Sequence, residues 1–118
     1  MRKIKFRAKR IDNGKWAYGL LVPMFGQLGI IKANDENTFY VVDTKTIGQY
    51  TGLKDRRRKE IYEGDILKGV YFFSGAGWFD TGEGEYTINA KVIYEDGKFT
   101  CNGFDVGDIC DSVKVSRN

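Results

Sequence analysis

Histidine is absent from this sequence. That removes Ser-His-Asp and Cys-His nucleophilic pairs, and with them the commonest metal ligand. Cysteine occurs twice, at Cys101 and Cys110, too few and too widely spaced for a structural zinc site. Serine occurs only at positions 74, 112 and 116, none in a nucleophile-elbow setting. The glycine-rich stretch 74–79, SGAGWF, lacks the Lys-Ser/Thr ending of a phosphate loop. Proline appears once, at Pro23. No apolar run approaches the ~20 residues that span a bilayer. The first ten residues, MRKIKFRAKR, lack the apolar core of a secretory signal. The expectation is a cytoplasmic protein with reduced thiols and no membrane association.

What remains is rich in glycine and aromatics, with 15 Gly, seven Tyr and eight Phe. Such a composition suits short strands and tight turns. A chain of 118 residues is expected to fold as one domain, with enough core to need neither metal nor disulfide. Charge is divided unevenly. Residues 1–59 carry 14 Lys/Arg against 5 Asp/Glu, whereas residues 60–118 carry 5 against 11. A chain polarised in this way can attract an anionic partner or a second copy of itself.

The pattern along the chain is that of strands. Ile4, Phe6 and Ala8 alternate with Lys3, Lys5, Arg7 and Lys9, predicting a strand with an outward row of cations. The segment IDNGKW turns the chain into a second strand, WAYGLLV. A two-residue Asn13-Gly14 loop would set apolar residues against cations. A three-residue loop with left-handed Gly14 pairs Ile4 with Val22, Phe6 with Leu20 and Ala8 with Tyr18, and is favoured because it gathers the apolar side chains. TFYVVD at 38–43 reads as a more buried strand, and Gly64-Asp65 as a turn feeding another. Tyr86, Ile88, Ala90, Val92 and Tyr94 alternate up to an Asp96-Gly97 hairpin loop. That loop sets Tyr94 against Phe99 and Val92 against Cys101, making Cys101 a core thiol. GDI recurs at 64–66 and 107–109, an echo of turn-to-strand chemistry. No long helical period is present. The expected fold is mainly β, a small curved sheet or barrel with little or no helix.

Three blocks, IKFRAK at 4–9, TIGQYTGLKD at 46–55 and KEIYEGDIL at 59–67, together with VIYEDGKF at 92–99, resemble the YopX family, small proteins carried by phages and prophages of bacteria. The resemblance implies a mostly β fold with SH3-like barrel character and self-association. It implies no catalytic activity and no cofactor. The sequence departs from the family pattern in three places. Lys9 stands where an aromatic usually follows FRA. Arg56, Arg57 and Arg58 precede Lys59 where the turn usually reads Lys-Asn-Gly-Lys. VGDICDSVKVSRN replaces an acidic, aromatic C-terminal tail.

Three functional readings follow. The first is a non-enzymatic module for protein interaction and assembly that forms a homo-oligomer, resting on the family resemblance and the charge division. The second is a nucleic-acid-binding module, in which Lys3, Lys5, Arg7 and Lys9 with Arg56, Arg57, Arg58 and Lys59 contact phosphates. Aromatics at 71–73 and 78–79 could then stack on bases, but such residues more often pack a hairpin, and Glu83 and Glu85 beside them repel phosphate. The third uses the carboxylates Asp105, Asp108 and Asp111, whose spacing suits a helix face in a segment that reads as turn and strand. The basic tip 56–59 reads equally as a solvated turn, and the N-terminal row as a charged strand that resists aggregation.

Overall fold

The computed structural model describes residues 4–35, 37–74 and 83–116. Contacts divide the chain into two compact units, residues 1–52 and 53–118.

In the first unit, β1 (Phe6–Lys9), β2 (Trp16–Met24), β3 (Gln27–Lys32), β4 (Phe39–Val41) and β5 (Gly48–Lys54) form a sheet in the order β4-β3-β2-β1-β5. All the pairings are antiparallel. Ala8, Ala17, Ile30 and Val42 make its core, with Leu21, Tyr40 and Ile47 packed alongside. The β1–β2 register is neither of the two expected. Phe6 faces Gly19 and Ala8 faces Ala17, and Arg10 and Lys15 close a loop of residues 11–14. Gly14 does take the left-handed conformation, at φ +70°. The extra loop residue is accommodated because Asn13 folds its side chain back onto the Lys15 N–H at 2.9 Å.

The stretch 38–43 forms an edge strand instead of a buried one, with Phe39, Tyr40 and Val41 only half-buried. An isolated bridge, Arg10 to Val42, links it to the end of β1. One bridge is not a ladder, so the described strands of this unit close no barrel.

Strand β5 runs past Gly52 into the second unit and is followed by β6 (Glu60–Tyr62). Here β7 (Ile66–Ser74), β8 (Glu83–Glu95), β9 (Lys98–Cys101), β10 (Phe104–Asp105) and β11 (Val113–Ser116) order as β10-β9-β8-β7-β11. The predicted hairpin is present in register, Tyr94 to Phe99 and Val92 to Cys101. Asp96 and Gly97 both adopt positive φ, as a two-residue loop of this kind requires. Ile61, Leu67, Ile88, Val92, Cys101 and Ile109 are among the core residues. The Gly64-Asp65 turn also forms, with the Asp65 carboxylate accepting the Tyr62 N–H at 2.8 Å.

The second GDI sequence behaves differently from the first. Val106–Ile109 make a single helical turn, α1, whose N-cap Asp105 accepts the Gly107 N–H at 2.9 Å. A 3-10 turn over Cys110–Ser112 leads into β11. The fold is mainly β, as expected. Among the described residues, no helix is long and apolar enough to cross a membrane.

Candidate interaction surfaces

The N-terminal row of cations does not face outward as a whole. Lys9 is exposed, Lys5 is half-buried, and Arg7 is only 3% exposed. Lys3 lies outside the described residues. The correction has a simple cause. β1 lies between β2 and β5, and the aromatics of these neighbours cover its polar face. The Arg7 guanidinium lies 4.3 Å from the centre of the Trp16 ring, with the Lys9 ammonium 5.3 Å from the same ring. The Lys5 ammonium lies 5.4 Å from the Tyr50 ring. These are cation–π contacts, so the row is largely used in holding its own sheet.

A cleft of about 640 Å³ also opens in this unit, lined in part by Lys9, Arg10, Ile11, Leu28, Val42 and Asp43. All three of its charged groups are engaged by the fold, Lys9 through the Trp16 ring. Arg10 makes a two-pronged contact with Asp12, at 2.9 and 2.6 Å, and lies 3.9 Å from the Tyr40 ring. That hydrogen bonding holds the Asp12 carboxyl below its ordinary pKa. The Asp43 carboxylate accepts the Lys45 N–H at 3.0 Å, capping the 3-10 turn over Thr44–Thr46.

The basic tip of the second unit is different in kind. Arg56, Arg57, Arg58 and Lys59 are all exposed, and none makes an ion pair with a described residue. The local acid is committed to the backbone. Asp55, 3% exposed, accepts the N–H groups of Arg57 at 2.8 Å, Lys59 at 2.9 Å and Val115 at 2.7 Å. Burial pushes the Asp55 carboxyl up, but the three N–H donors outweigh it and hold the pKa below its ordinary value. Asp55 and Lys59 close a loop of residues 56–58, with the Arg58 N–H donating to the Asp55 carbonyl at 2.9 Å. Only Arg58 enters the left-handed region, at φ +69°. The tip is therefore a three-residue hairpin loop with Arg58 in the position where glycine is easiest.

The sequence singled out no site on the β7–β8 hairpin beyond its aromatics. Val70 to Ser74 pair with Thr87 to Glu83, whereas β11 accompanies β7 only up to Gly69 and β9 joins β8 only from Val92. Beyond those limits the two strands form an arm whose outer edges pair with no described strand. Phe72 is 71% exposed on it, and Tyr86 is also exposed. Tyr71 and Tyr86 pack against Phe104, at 5.4 and 5.2 Å between ring centres. Of the aromatics considered for base stacking or hairpin packing, Trp78 and Phe79 lie outside the described residues. The signal that could have revealed the arm is length, since β8 has 13 residues and β9 only 4.

Chemistry is sparse elsewhere. Asp105 is used as a helix cap, and Asp108 and Asp111 are not assembled with it into a cluster. Among the described residues, no group of His, Cys, Asp or Glu could hold a metal ion. Both cysteines are free and buried. Cys101 Sγ lies 3.3 Å from the Ala90 carbonyl, and burial pushes both thiols up in pKa.

A family model described as "YopX protein" matches residues 5–116. Among solved structures, the chain is similar to "Crystal structure of protein EF1440 from Enterococcus faecalis", with a TM-score of 0.55 and 23% identity. That match covers 100% of this chain and 94% of the other. At this identity the likeness concerns the fold alone. No curated protein matches.

Proposed function

Because this chain belongs to the YopX family, for which no activity is known, we propose that it is a non-enzymatic interaction module that assembles with copies of itself. The observation that carries this reading is the β7–β8 arm. A two-stranded ribbon whose outer edges pair with no described strand, carrying an aromatic residue 71% exposed, gains stability when another surface covers it. The charge division of the chain supports the same reading, since one copy carries complements to both signs of another.

The test is mass measured across a concentration series, by light scattering and sedimentation, on nuclease-treated protein. A discrete oligomer independent of nucleic acid is expected. A monomer up to millimolar concentration overturns the reading.

One observation favours a second reading, contact with nucleic-acid phosphates. The four cations at 56–59 are exposed on a turn shaped by backbone hydrogen bonds to Asp55 and make no ion pair with a described residue. The N-terminal row contributes less than its sequence suggests, because Arg7 is buried. Association with host or phage nucleic acid in the cytoplasm of a bacterium would fit this reading.

A further inference from the structure

Resting on the phosphate-contact reading, we propose that the basic turn is one end of a longer cation strip that follows the backbone of a single-stranded nucleic acid. The strip comprises Arg56, Arg57, Arg58, Lys59, Lys114, Lys68 and Lys91. Strand register builds it. Leu67, Val92 and Val113 are buried in the core of the second unit, with Ala90 and Val115 packed against it. Alternation therefore turns Lys68, Lys91 and Lys114 to the opposite face of the sheet. Lys114 pairs with Lys68 across β11 and β7, while Lys68 pairs with Asn89 and Ile66 with Lys91 across β7 and β8. Lys68 and Lys114 thus lie directly opposite, with Cβ atoms about 5 Å apart, and Lys91 stands diagonally from Lys68 at about 7 Å.

The turn meets this sheet at the edge of β11 that faces away from β7. The Arg56 N–H donates to the Val113 carbonyl at 2.9 Å, and the Val115 N–H donates to the Asp55 carboxylate at 2.7 Å. The turn is thereby fastened on both sides of Lys114. From the Arg56 main chain to β8 the strip crosses three interstrand steps, about 15 Å, which suits a chain of phosphates better than one. Lys68 and Lys91 are exposed and Lys114 is half-buried. None of the three makes an ion pair with a described residue.

Charge identifies the occupant. Like charges set opposite each other across a sheet destabilise it, and an anion bridging Lys68 and Lys114 removes that cost. The acids of this face stand apart from the strip. Among the described strand residues they are Glu85 and Glu95, six and four residues along β8 from Lys91, and Glu95 is paired with Lys98. The arginines of the turn favour phosphate, whose oxygens match the guanidinium fork. An apolar neighbour favours a single strand. Ile66 is exposed between Lys91 and Ser116, where it meets base faces that a duplex keeps stacked.

The experiment is fluorescence anisotropy on the full chain with labelled single-stranded DNA and RNA and the matching duplexes, across a salt series. Seven cations on a single strand give a log–log salt slope of about five, whereas the turn alone gives about three. The variant Lys68→Gln/Lys91→Gln/Lys114→Gln is expected to bind at least about tenfold more weakly and to lower the slope by about two. Its urea midpoint is expected to hold or rise, because the opposed lysines are gone. Lys98→Gln changes an exposed cation outside the strip and is expected to bind within about twofold of the starting chain. A slope of about three, with the lysine variant binding like the starting chain, overturns the strip and leaves phosphate contact to the turn. Equal competition by polyaspartate at matched charge overturns it in favour of an acidic protein partner. Duplex binding tighter than single-strand binding overturns the single-strand assignment. No binding by the starting chain at low salt removes the strip and the phosphate-contact reading together.

Discussion

The Asp55 carboxylate accepts the Val115 N–H at 2.7 Å, joining two residues sixty positions apart. The other carboxylate oxygen holds the Arg57 and Lys59 N–H groups of the basic turn. The Arg56 N–H adds a bond to the Val113 carbonyl at 2.9 Å. One buried acid thus shapes the tip and ties it to strand β11. The arginines are presented outward because the only carboxylate within the turn is fully engaged by main-chain donors.

Replacing Asp55 with alanine removes three hydrogen bonds to a charged acceptor and leaves the Val115 N–H without that partner. Bonds of this type contribute about 1.5–3 kcal/mol each, and their losses at one site do not add fully. The expected loss is about 3–5 kcal/mol in a urea melt. The pH dependence has a definite sign. The folded-state pKa of Asp55 is lowered, so the unfolded chain binds the proton more readily. Its contribution is therefore complete above the ordinary value of 3.8 and is lost as pH falls through the lower folded value. Urea midpoints at pH 5 and pH 3 should differ more in the starting chain than in Asp55→Asn. Equal differences in the two proteins would show that Asp55 is not the group responsible.

Arg58 sits at φ +69°, a region that disfavours any residue with a Cβ by roughly 1–2 kcal/mol. The family resemblance implies Asn-Gly in this turn, with Arg58 in the glycine place. Arg58→Gly relieves the strain, offset in part by the greater freedom glycine has in the unfolded chain. A net gain of about 0.5–1 kcal/mol in thermal or urea unfolding is expected. Arg58→Ala keeps the Cβ and should give no gain. If the two variants behave alike, the left-handed conformation is not what separates them, and the backbone assignment at Arg58 fails.

How far the sequence reveals this molecule depends on whether local chemistry determines the outcome. The Tyr94–Phe99 and Val92–Cys101 pairings were legible because Asp96-Gly97 admits one short loop and the apolar alternation agrees with it. The first hairpin was not. Asp12-Asn13-Gly14 accommodates loops of several lengths, and each shifts the register by one residue. Arg7 was misread for a related reason. A two-residue period separates two faces, but it does not say whether the polar face meets water, and here the Trp16 ring of the neighbouring strand lies over the Arg7 guanidinium at 4.3 Å. The turn at 106–109 became helical because Asp105 is placed to cap Gly107, a signal outweighed in the sequence by the strand-like valines. The Asp55 anchor was invisible, since its farthest donor, Val115, is sixty residues away. The basic tip was legible as a turn, though only the structure shows its three-residue loop.

The same anchor gives the basic tip a clean test as a phosphate contact, because the charges can be changed without dismantling the turn. The Arg56, Arg57 and Arg58 side chains are exposed and make no ion pair with a described residue. The hydrogen bonds that shape the loop come from backbone N–H groups. The triple variant Arg56→Glu/Arg57→Glu/Arg58→Glu should therefore keep the fold while reversing the local charge. Fluorescence anisotropy with short single- and double-stranded DNA and RNA, across a salt series, reads the outcome. If the tip contacts phosphates, binding falls steeply with salt, at a log–log slope of about 0.7–0.9 per phosphate neutralised. The triple variant then binds at least tenfold more weakly, with a slope shallower by about two to three units. Binding that ignores both salt and the substitutions assigns the interaction to another surface. No binding by the starting chain at low salt makes the tip a solvated turn, whose charges keep the protein soluble.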